Sequence, residues 1–345
     1  MPHPVLTDCI ERLMAGQDIG RDDAARAIGL ITDGRIGDAQ IAGFLVALRA
    51  KGETAEELAG IADAVRARAE RVEVSPDFQL VDTCGTGGGP STVNISTGAA
   101  FLAAGAGASV AKHGNRAVTS GCGSADVLEA LGARVDLAPD CVARCIEDVG
   151  VGFMFAPGHH PGFRHVGPVR KGLGVRTVFN ILGPLANPAG ARRQVIGVFD
   201  PSYLERVAGA LKALGAEQAL VVSGRDGLDE ISTGSPTDAV MLRNGIITTL
   251  VVDPTALGIE VPTPDALVGG DPARNAHVLA AAIGGESGPV RDILALNAGA
   301  ALWMAGVASS LEDGLARAER AATSGAARER LEAFIDLTGR LAPVL

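Results

Sequence analysis

The feature that most constrains the fold of this 345-residue chain is a change in its apolar pattern near residue 78. Before that point apolar side chains recur every three or four residues, as they do from Ile41 to Leu48. Such spacing is typical of amphipathic helices. Four short helices without strands are therefore predicted in residues 1 to about 72, which indicates a small helical domain.

Beyond residue 78, short apolar runs alternate with helical stretches. The apolar runs lie at 79–81, 109–111, 195–198 and 219–222. Helical spacing follows at 124–131 and 203–214. Alternation of this kind predicts a central, mainly parallel sheet flanked by helices. The predicted fold class is therefore α/β with a small all-helical domain.

The C-terminal part begins with a loop that contains Pro and Gly and runs from Val252 to Asp271. Three helical segments are predicted to follow it, and they include 290–305 and 327–341. The chain is long enough for about two domains, and its sequence contains no internal repeat.

Charge is unevenly distributed along the chain. The formal net charge is −10. No Asp or Glu occurs from Val151 to Phe199, and the cationic residues there are Arg164, Arg170, Lys171, Arg176, Arg192 and Arg193. An acidic chain is poorly suited to nonspecific binding of nucleic acid or anionic lipid. The cationic segment favours a small, multiply charged anion, although a basic surface or an oligomer contact would have the same composition.

Cysteine usage and the apolar runs predict a reduced protein that does not enter a membrane. The five cysteines are odd in number and too sparse for a disulfide scaffold, and their spacing does not complete a zinc site. The N-terminus lacks a basic stretch followed by an apolar run, and the longest apolar run, Gly98 to Ala111, is too short to span a membrane. We expect a cytoplasmic location.

The first motif that indicates chemistry runs from Asp82 to Thr97 and reads DTCGTGGGPSTVNIST. It lies between a predicted strand and a predicted helix. Its glycines would let backbone amides approach an anion, while its hydroxyls and the following helix N-terminus would add donors. It lacks the Gly-Lys-Ser/Thr of a Walker loop, and Pro90 excludes a dinucleotide fingerprint. The hydroxyl content favours a phosphate loop over a purely structural turn.

The second motif follows the apolar run 109–111 and comprises Lys112-His113-Gly114-Asn115-Arg116, Thr119-Ser120 and Gly123-Ser124-Ala125-Asp126. Cations together with Ser hydroxyls are suited to clamp a pyrophosphate. A solvated loop in which Ser124 caps a helix remains the alternative interpretation.

Two further motifs are charged. The segments Phe163 to Lys171 and Arg176 to Pro188 contain arginines, whose forked guanidinium suits a carboxylate. The segment from Gly224 ends in Asp229-Glu230, and adjacent carboxylates in a loop can both offer oxygens to Mg²⁺. A water-exposed acidic turn would have the same spacing, so both interpretations stay open at this point.

Together these motifs closely resemble the anthranilate phosphoribosyltransferase family. In family order, the chain has the glycine loop ending Asn-Ile-Ser-Thr, the Lys-His-Gly-Asn-Arg block, Pro-Val-Arg through Asn-Ile-Leu-Gly-Pro-Leu-Ala-Asn-Pro, and Gly-Leu-Asp-Glu. The resemblance extends toward both ends and includes Gly269-Gly270-Asp271-Pro272 and Leu296-Asn297-Ala298. Four independent blocks in the right order are far more specific than any one of them.

The resemblance implies a two-domain fold like that of nucleoside phosphorylases and phosphoribosyltransferases. Residues 1–74, joined by about 168–188, would form the helical domain. Residues 75–167 and 189–345 would form the α/β catalytic domain, with the active site at the hinge between the two. The family also implies a homodimer formed through the helical domain.

The implied reaction joins anthranilate to phosphoribosyl pyrophosphate (PRPP). The amine of anthranilate would attack the anomeric carbon of the ribose, giving N-(5-phosphoribosyl)anthranilate and pyrophosphate in tryptophan biosynthesis. Two Mg²⁺ ions would assist. No covalent enzyme intermediate is needed, so Cys84 and Cys122 would be structural.

Site residues follow from the resemblance by matched position. The implied substrate-binding residues are Gly85, Gly88, Gly89, Thr92, Asn94, Ile95, Ser96, Thr97, Lys112, His113, Gly114, Asn115, Arg116, Ala117, Val118, Thr119, Ser120, Ser124 and Arg170. Among them, the catalytic roles would belong to Lys112, Asn115 and Arg170, and Arg170 would grip the anthranilate carboxylate. The implied metal ligands are Ser96 for one Mg²⁺ ion and Asp229 with Glu230 for a second. His113 and His160 would neighbour the aryl ring.

The chain departs from the family pattern at two places. Gly89-Pro90 stands where the family usually has Asp after the double glycine, and Gly121 replaces a basic residue often found after the paired hydroxyls. These departures put the PRPP contacts at Gly89 and Gly121 in question. They leave the Lys112, Arg170 and Asp229-Glu230 positions intact.

Two other functions compete with this interpretation. A pyrimidine nucleoside phosphorylase has a similar fold, but its phosphate motif Lys-His-Ser-Thr-Gly-Gly does not occur in this chain. A noncatalytic paralogue that binds nucleic acid would need a continuous basic face, which the net charge of −10 disfavours.

Overall fold

The computed structural model describes residues 1–117 and 121–342. The N-terminal part is helical, as its apolar spacing predicted. Its four helices are α1 (Pro4–Met14), α2 (Gly20–Thr32), α3 (Asp38–Lys51) and α4 (Ala55–Arg66). Helix α4 begins with a capping box, in which the Thr54 side chain accepts from the Glu57 amide and the Glu57 side chain accepts from the Thr54 amide.

A seven-stranded sheet follows. Its strands are β1 (Leu80–Gly85), β2 (Ser109–Gly114), β3 (Val151–Phe155), β4 (Arg193–Gly197), β5 (Gln218–Gly224), β6 (Thr237–Arg243) and β7 (Ile246–Val252). The order is β3-β2-β1-β4-β5-β6-β7, in which β6 runs antiparallel to both of its neighbours, β5 and β7, and the other strand pairs are parallel. The predicted fold class, a mainly parallel sheet flanked by helices, is confirmed.

The remaining helices connect and cover the strands. They are α5 (Ile95–Gly105), α6 (Ser124–Ala130), α7 (Pro139–Val149), α8 (Ala156–His159), α9 (Gly167–Leu173), α10 (Phe179–Leu185), α11 (Leu204–Ala213), α12 (Pro272–Ile283), α13 (Pro289–Ala305), α14 (Leu311–Thr323) and α15 (Ala326–Leu341). The prediction of three helices after Asp271 was wrong, because there are four in the described residues. Short connections at 284–288, 306–310 and 324–325 separate them and carry little sequence signal.

The sheet separates two cores. Because strand residues alternate in direction, Val195 and Leu220 pack against α5 and the C-terminal helices, whereas Ile196 and Val221 belong to the core of the N-terminal helices. Helices α9 and α10 contribute buried residues such as Val169 and Leu182 to that second core. The segment 168–188 therefore packs with α1–α4, and the proposed domain boundaries stay a prediction.

The predictions on cysteines and membranes can be compared with two further observations. All five cysteines are free thiols. Within residues 1–117 and 121–342, none of the helices combines the length and apolar character needed to cross a bilayer.

Candidate active site

The carboxyl ends of β1 and β2 hold the first two predicted motifs. Parallel strands bring their carboxyl ends to one edge of a sheet, where ligands of α/β folds commonly bind. The glycine loop leaves β1 there and enters α5 at Ile95. Its Thr86 amide donates to the carbonyl oxygen of Gly197 over 2.9 Å, which anchors the loop beside the end of β4. Gly87 and Gly88 have φ angles of 71° and 98°, which favour glycine.

Two adjoining cavities open at this edge. The larger has a volume of about 330 Å³ and the smaller about 170 Å³. The residues that line both are Gly85, Gly87, Gly88, Ser96 and Ser124. The two cavities are therefore parts of one cleft.

Every described residue among the predicted substrate-binding and metal-binding residues lines this cleft. His160, which was expected to neighbour the aryl ring, lines neither cavity but contacts Phe163 and His113, which do. The larger cavity adds Lys112, His113, Gly114, Asn115, Arg116, Ala117 and Arg170. The smaller adds Gly89, Thr92, Asn94, Ile95, Thr97, Asp229 and Glu230. The predicted residues Val118, Thr119 and Ser120 lie outside the described residues.

Lys112 forms a buried cationic centre beneath the glycine loop. It lies within β2 rather than after it, because the strand continues to Gly114. Its Nζ donates to the carbonyl oxygen of Thr83 and to Oγ of Ser96, the latter over 3.1 Å. Lys112 thereby joins the end of β1 to the start of α5, and its positive charge lies at the floor of the cleft.

Asp229 and Glu230 follow β5 and border the smaller cavity. Burial raises the pKa of both carboxyl groups, and the Asp229 charge adds to the effect on Glu230, whose pKa is raised to about 8. The charge of Lys112 and hydrogen bonding by Ser96 act in the opposite direction on Glu230. A pair of desolvated carboxylates is a place where a cation is electrostatically favoured.

These residues supply the protein ligands of a Mg²⁺ site that waters and substrate phosphates would complete. In the described chain there is no cluster of three or more His, Cys, Asp or Glu side chains arranged around a common point. A Mg²⁺ ion typically keeps waters and binds through one or two carboxylates together with substrate phosphates. The pair Asp229-Glu230 and the Ser96 hydroxyl match that requirement, so the residues present fit the ion.

The far end of the larger cavity is aromatic. The Arg170 guanidinium lies over the Phe179 ring, 5.5 Å from its centroid. Phe163 meets Phe179 edge to face at 5.4 Å and stacks on His160 at 4.9 Å. His160 in turn contacts His113 at 5.0 Å. This chain of rings forms an apolar wall with one cation at its end.

Burial lowers the pKa values of Arg170 and of two histidines at this end of the cavity, His113 and His160. Burial lowers the pKa of Arg170, and no carboxylate of the described residues opposes this shift. Burial also lowers the pKa of His113 to about 4 and that of His160 to about 3. Both imidazoles are therefore neutral at pH 7. Arg170 is the charged group at this end of the cavity that can accept an anionic partner.

Asn115 and Arg116 lie at the mouth of the cleft. The Asn115 side chain is exposed, and its Oδ1 accepts from the Arg116 amide over 2.8 Å. The Arg116 guanidinium pairs with Glu129 at 2.5 Å and with Asp126 at 3.1 Å, and it lies over the Phe155 ring. Its predicted contact with a phosphate would compete with these two carboxylates.

Several residues that line the larger cavity were not among the predicted site residues. They are Cys84, Thr86, Gly87, Gly123, Ala156, Phe163, Arg176, Phe179, Asn180, Gly183 and Pro184. Arg176 is the most notable, since its Nη2 donates to the carbonyl oxygen of Gly88 over 2.7 Å. The sequence feature that could have indicated Arg176 is the stretch from Val151 to Phe199, which contains this arginine and has no Asp or Glu.

Gly89 and Gly121, where the chain departs from the family pattern, both lie close to backbone atoms of other segments. A Cβ at Gly89 would lie 2.7 Å from the carbonyl oxygen of Gly227. A Cβ at Gly121 would lie 3.2 Å from the carbonyl oxygen of Gly270. The shortened loop therefore packs closely on the turn before Asp229, and an Asp at position 89 would require that turn to move.

Comparison with known proteins agrees with the fold. Residues 7–69 match the model of the glycosyl transferase family helical bundle domain, and residues 77–328 match the model of the glycosyl transferase family a/b domain. Fold and site thus define a two-domain glycosyl transferase.

The similar proteins are more specific. An anthranilate phosphoribosyltransferase from Rubrobacter xylanophilus is 49% identical over 340 residues, which cover 98% of this chain and 99% of that protein. The chain belongs to the anthranilate phosphoribosyltransferase family, as the motifs predicted.

Solved structures of the family have the same fold. The crystal structure of the Thermus thermophilus anthranilate phosphoribosyltransferase has a TM-score of 0.91 and 42% identity, covering 96% of this chain and 99% of that one. The Saccharomyces cerevisiae enzyme in complex with PRPP and Mg has a TM-score of 0.88 and 28% identity, covering 97% and 98%.

Proposed function

We propose that this protein transfers the phosphoribosyl group of PRPP to the amine of anthranilate, releasing pyrophosphate, as a step of tryptophan biosynthesis. One observation carries the proposal. A cavity lined by glycine amides, hydroxyls and paired acids adjoins a cavity that ends in Arg170 over an aromatic wall. The first has the chemistry for a metal-bound diphosphate, and the second for an aromatic carboxylate.

PRPP would occupy the smaller cavity and its junction with the larger one. The amides of Thr86 and Gly87 in the glycine loop, and those of Ile95 and Thr97 at the start of α5, already donate within the protein. Other amides of the loop and of the first turn of α5 would donate to phosphate oxygens. Hydroxyls of Thr92, Ser96 and Thr97 line the same space. Lys112 adds a charge that is already fixed by two hydrogen bonds, so little side-chain entropy would be lost when a phosphate binds.

Anthranilate would bind in the larger cavity, with its carboxylate on the Arg170 guanidinium. Its ring would lie against Phe163 and Phe179, which line that cavity, with neutral His113 on the inner side. Asn115, at the mouth, would contact the amine side. This orientation directs the amine toward the shared residues Gly85 and Ser96, where the ribose would lie.

Two Mg²⁺ ions are part of the proposal, one bound by Ser96 and a second by Asp229 with Glu230. Ser96 lies within hydrogen-bonding reach of Glu230, so the two ions would occupy adjoining positions in the smaller cavity. When bound, Mg²⁺ neutralises charge on the diphosphate and so makes pyrophosphate a better leaving group. The raised pKa values of Asp229 and Glu230 support this assignment, because burial outweighs the positive charge nearby and a bound cation would compensate it.

The chain's own residues act mainly by position and charge. The amine lone pair forms the new bond to the anomeric carbon, the electrons of the breaking carbon–oxygen bond leave with pyrophosphate, and the amine proton passes to water. Lys112 and the loop amides stabilise the negative charge that develops on pyrophosphate. Arg170 and the aromatic wall hold the amine in line with the bond that breaks.

A covalent route through cysteine is disfavoured by the state of the thiols. Burial raises the pKa of Cys84, whose side chain lies at the end of β1. Burial raises the pKa of Cys122 to about 11. Neither thiol is a thiolate at pH 7, so neither is a ready nucleophile.

A cytoplasmic homodimer formed through the helical domain is part of the proposal. Two exposed apolar side chains lie on that domain, Met14 at the end of α1 with 72% exposure and Val46 in α3 with 45%, and an interface that covered them would remove apolar surface from water. Light scattering after size exclusion should give twice the chain mass of 34.9 kDa. Val46→Glu should shift the protein toward the monomer, and a monomeric wild-type protein would refute the interface.

The proposed reaction can be tested by following anthranilate fluorescence with purified protein. We expect the signal to fall only when PRPP and Mg²⁺ are both present. Controls omit PRPP, Mg²⁺ or protein in turn. A second arm supplies thymidine or uridine with inorganic phosphate, which a nucleoside phosphorylase would cleave. Folded protein that leaves anthranilate unchanged in the complete mixture would overturn the proposal.

A further inference from the structure

Arg176 lies in the connection between α9 and α10 and reaches the glycine loop. Its Nη2 donates to the carbonyl oxygen of Gly88 over 2.7 Å, and the side chain lines the larger cavity. Gly88 is a residue of the loop that would hold PRPP. The contact therefore joins the segment that carries Arg170 to the phosphate end of the cleft.

The local structure fixes the Arg176 guanidinium on two sides. Its central carbon lies 4.0 Å from the centroid of the Phe199 ring, a close cation–π contact. The Phe199 amide donates to Oγ1 of Thr86 over 3.2 Å, so the ring that supports Arg176 is itself attached to the glycine loop. A Cβ at Gly88 would overlap the guanidinium, so this approach requires glycine at that position.

The backbone of Arg176 is held as well. Arg49 of α3 donates to its carbonyl oxygen. Arg176 thus contacts a helix of the N-terminal bundle through its backbone and the glycine loop through its side chain. The neighbouring Gly87 amide donates to Asp229 over 2.6 Å, so the acidic turn after β5 also holds this loop.

We propose that Arg176 is a positioning residue, which holds Gly88 so that the glycine loop has the shape that binds PRPP. This inference rests on the proposed function and deepens it. Arg176 acts through the Gly88 carbonyl and the Phe199 stack, not as a direct ligand of a phosphate. Loss of either contact weakens PRPP binding, while the anthranilate contacts at Arg170 stay in place.

The test measures Mg²⁺–PRPP binding by calorimetry in the absence of anthranilate. We expect Arg176→Ala to lower PRPP affinity about tenfold, the effect of losing one charge-assisted hydrogen bond. Arg176→Lys should not restore it, because an ammonium does not reproduce the planar stack on Phe199. In steady state, KM for PRPP should rise much more than KM for anthranilate.

A double-mutant cycle separates positioning from direct contact. Phe199→Leu keeps the arginine but removes the stack, and it should weaken PRPP binding by a smaller factor. The double variant should bind PRPP as tightly as Arg176→Ala alone does, since both changes disrupt the same arrangement of Arg176 on Phe199. Additive losses, or full rescue by Arg176→Lys, would mean that the charge contacts PRPP directly and would overturn the proposal.

Arg192→Ala is the matched control. Arg192 lies at the amino end of β4, away from the cleft, and pairs with Glu217 at the surface. The Arg192→Ala substitution should leave the affinity for PRPP unchanged. If the wild-type protein itself does not bind PRPP, the proposed function fails; if it binds and Arg176→Ala and Phe199→Leu bind equally well, only the role of Arg176 fails.

Discussion

The backbone amide of Gly87 donates a hydrogen bond of 2.6 Å to Oδ2 of Asp229, so the glycine loop and the acidic turn after β5 touch directly. Two other glycines permit this approach. A Cβ at Gly85 would overlap the Asp229 carboxylate, and one at Gly197 would overlap its backbone. The ends of β1 and β4 are therefore shaped to admit Asp229. A cation that binds Asp229 would act on the loop that holds the diphosphate.

Asp229→Asn should raise the Mg²⁺ concentration needed for half-maximal activity by at least about tenfold. The amide oxygen can still accept from Gly87, so the loop contact survives while the metal loses a negative ligand. A Mg²⁺ titration at saturating PRPP measures the shift. Asp238→Asn, at a carboxylate that pairs with Arg225, should titrate as the wild type does. An unaltered titration for Asp229→Asn would refute metal ligation there.

Arg170→Ala should raise KM for anthranilate by about 10- to 100-fold, because it removes a charge-assisted hydrogen bond to the carboxylate. KM for PRPP should change much less, since PRPP would bind at the other end of the cleft. Initial rates over a range of both substrates separate the two constants. Arg164→Ala is the control, since Arg164 is exposed and does not line either cavity. Equal KM values for anthranilate would exclude this role for Arg170.

Much of the fold could be predicted because its signals are local. Helical spacing identified α1–α4, and short apolar runs identified β1, β2, β4 and β5. The hairpin of β6 and β7 was missed, although Asn244 and Gly245, with φ angles of 52° and 74°, form the kind of tight turn that joins antiparallel strands. Most of β7 is exposed, so it lacks the alternation that marks a strand with one buried face.

The candidate site was predictable where its residues are contiguous. The glycine loop and the block from Lys112 to Arg116 each bring many cleft residues together in one short segment. Contacts between distant segments were not predictable in this way. The stack of Arg176 on Phe199 and its hydrogen bond to Gly88 exist only because the fold brings three separate segments together. The sequence pattern indicates that an arginine is present at position 176, but it does not indicate that Phe199 and Gly88 are its partners.

His160→Phe should make the protein less sensitive to mild acid. Burial lowers the pKa of His160 to about 3 from 6.5, so below pH 6.5 the unfolded chain takes up a proton that the folded chain does not. Acidification from pH 6.5 to 5 should therefore cost the wild type about 1.5 kcal/mol at this residue. Phenylalanine keeps an aromatic ring beside Phe163 and does not titrate.

Urea unfolding at the two pH values gives the comparison. Asp82 and Glu230 have raised pKa values and oppose the acid effect, but they are present in both proteins and their contributions largely cancel in the difference. The wild type should lose more unfolding free energy than His160→Phe on acidification. Identical losses would mean that His160 becomes protonated in the folded protein near its usual pKa.

Glu57→Ala should lower the free energy of unfolding by about 2–3 kcal/mol, because it removes the buried carboxylate that three donors share, while Lys51 keeps its second partner, Asp18, at 2.6 Å. Oε2 of Glu57 accepts from Nζ of Lys51 and from the Thr54 amide, both at 2.9 Å, while Oε1 accepts from the Ile19 amide at 3.1 Å. One carboxylate therefore joins the starts of α2 and α4 to the end of α3. Glu56→Ala, at the exposed neighbouring position, should change stability by less than about 0.5 kcal/mol. Urea unfolding followed by circular dichroism compares the two variants, and equal losses would show that Glu57 acts only as a helix former.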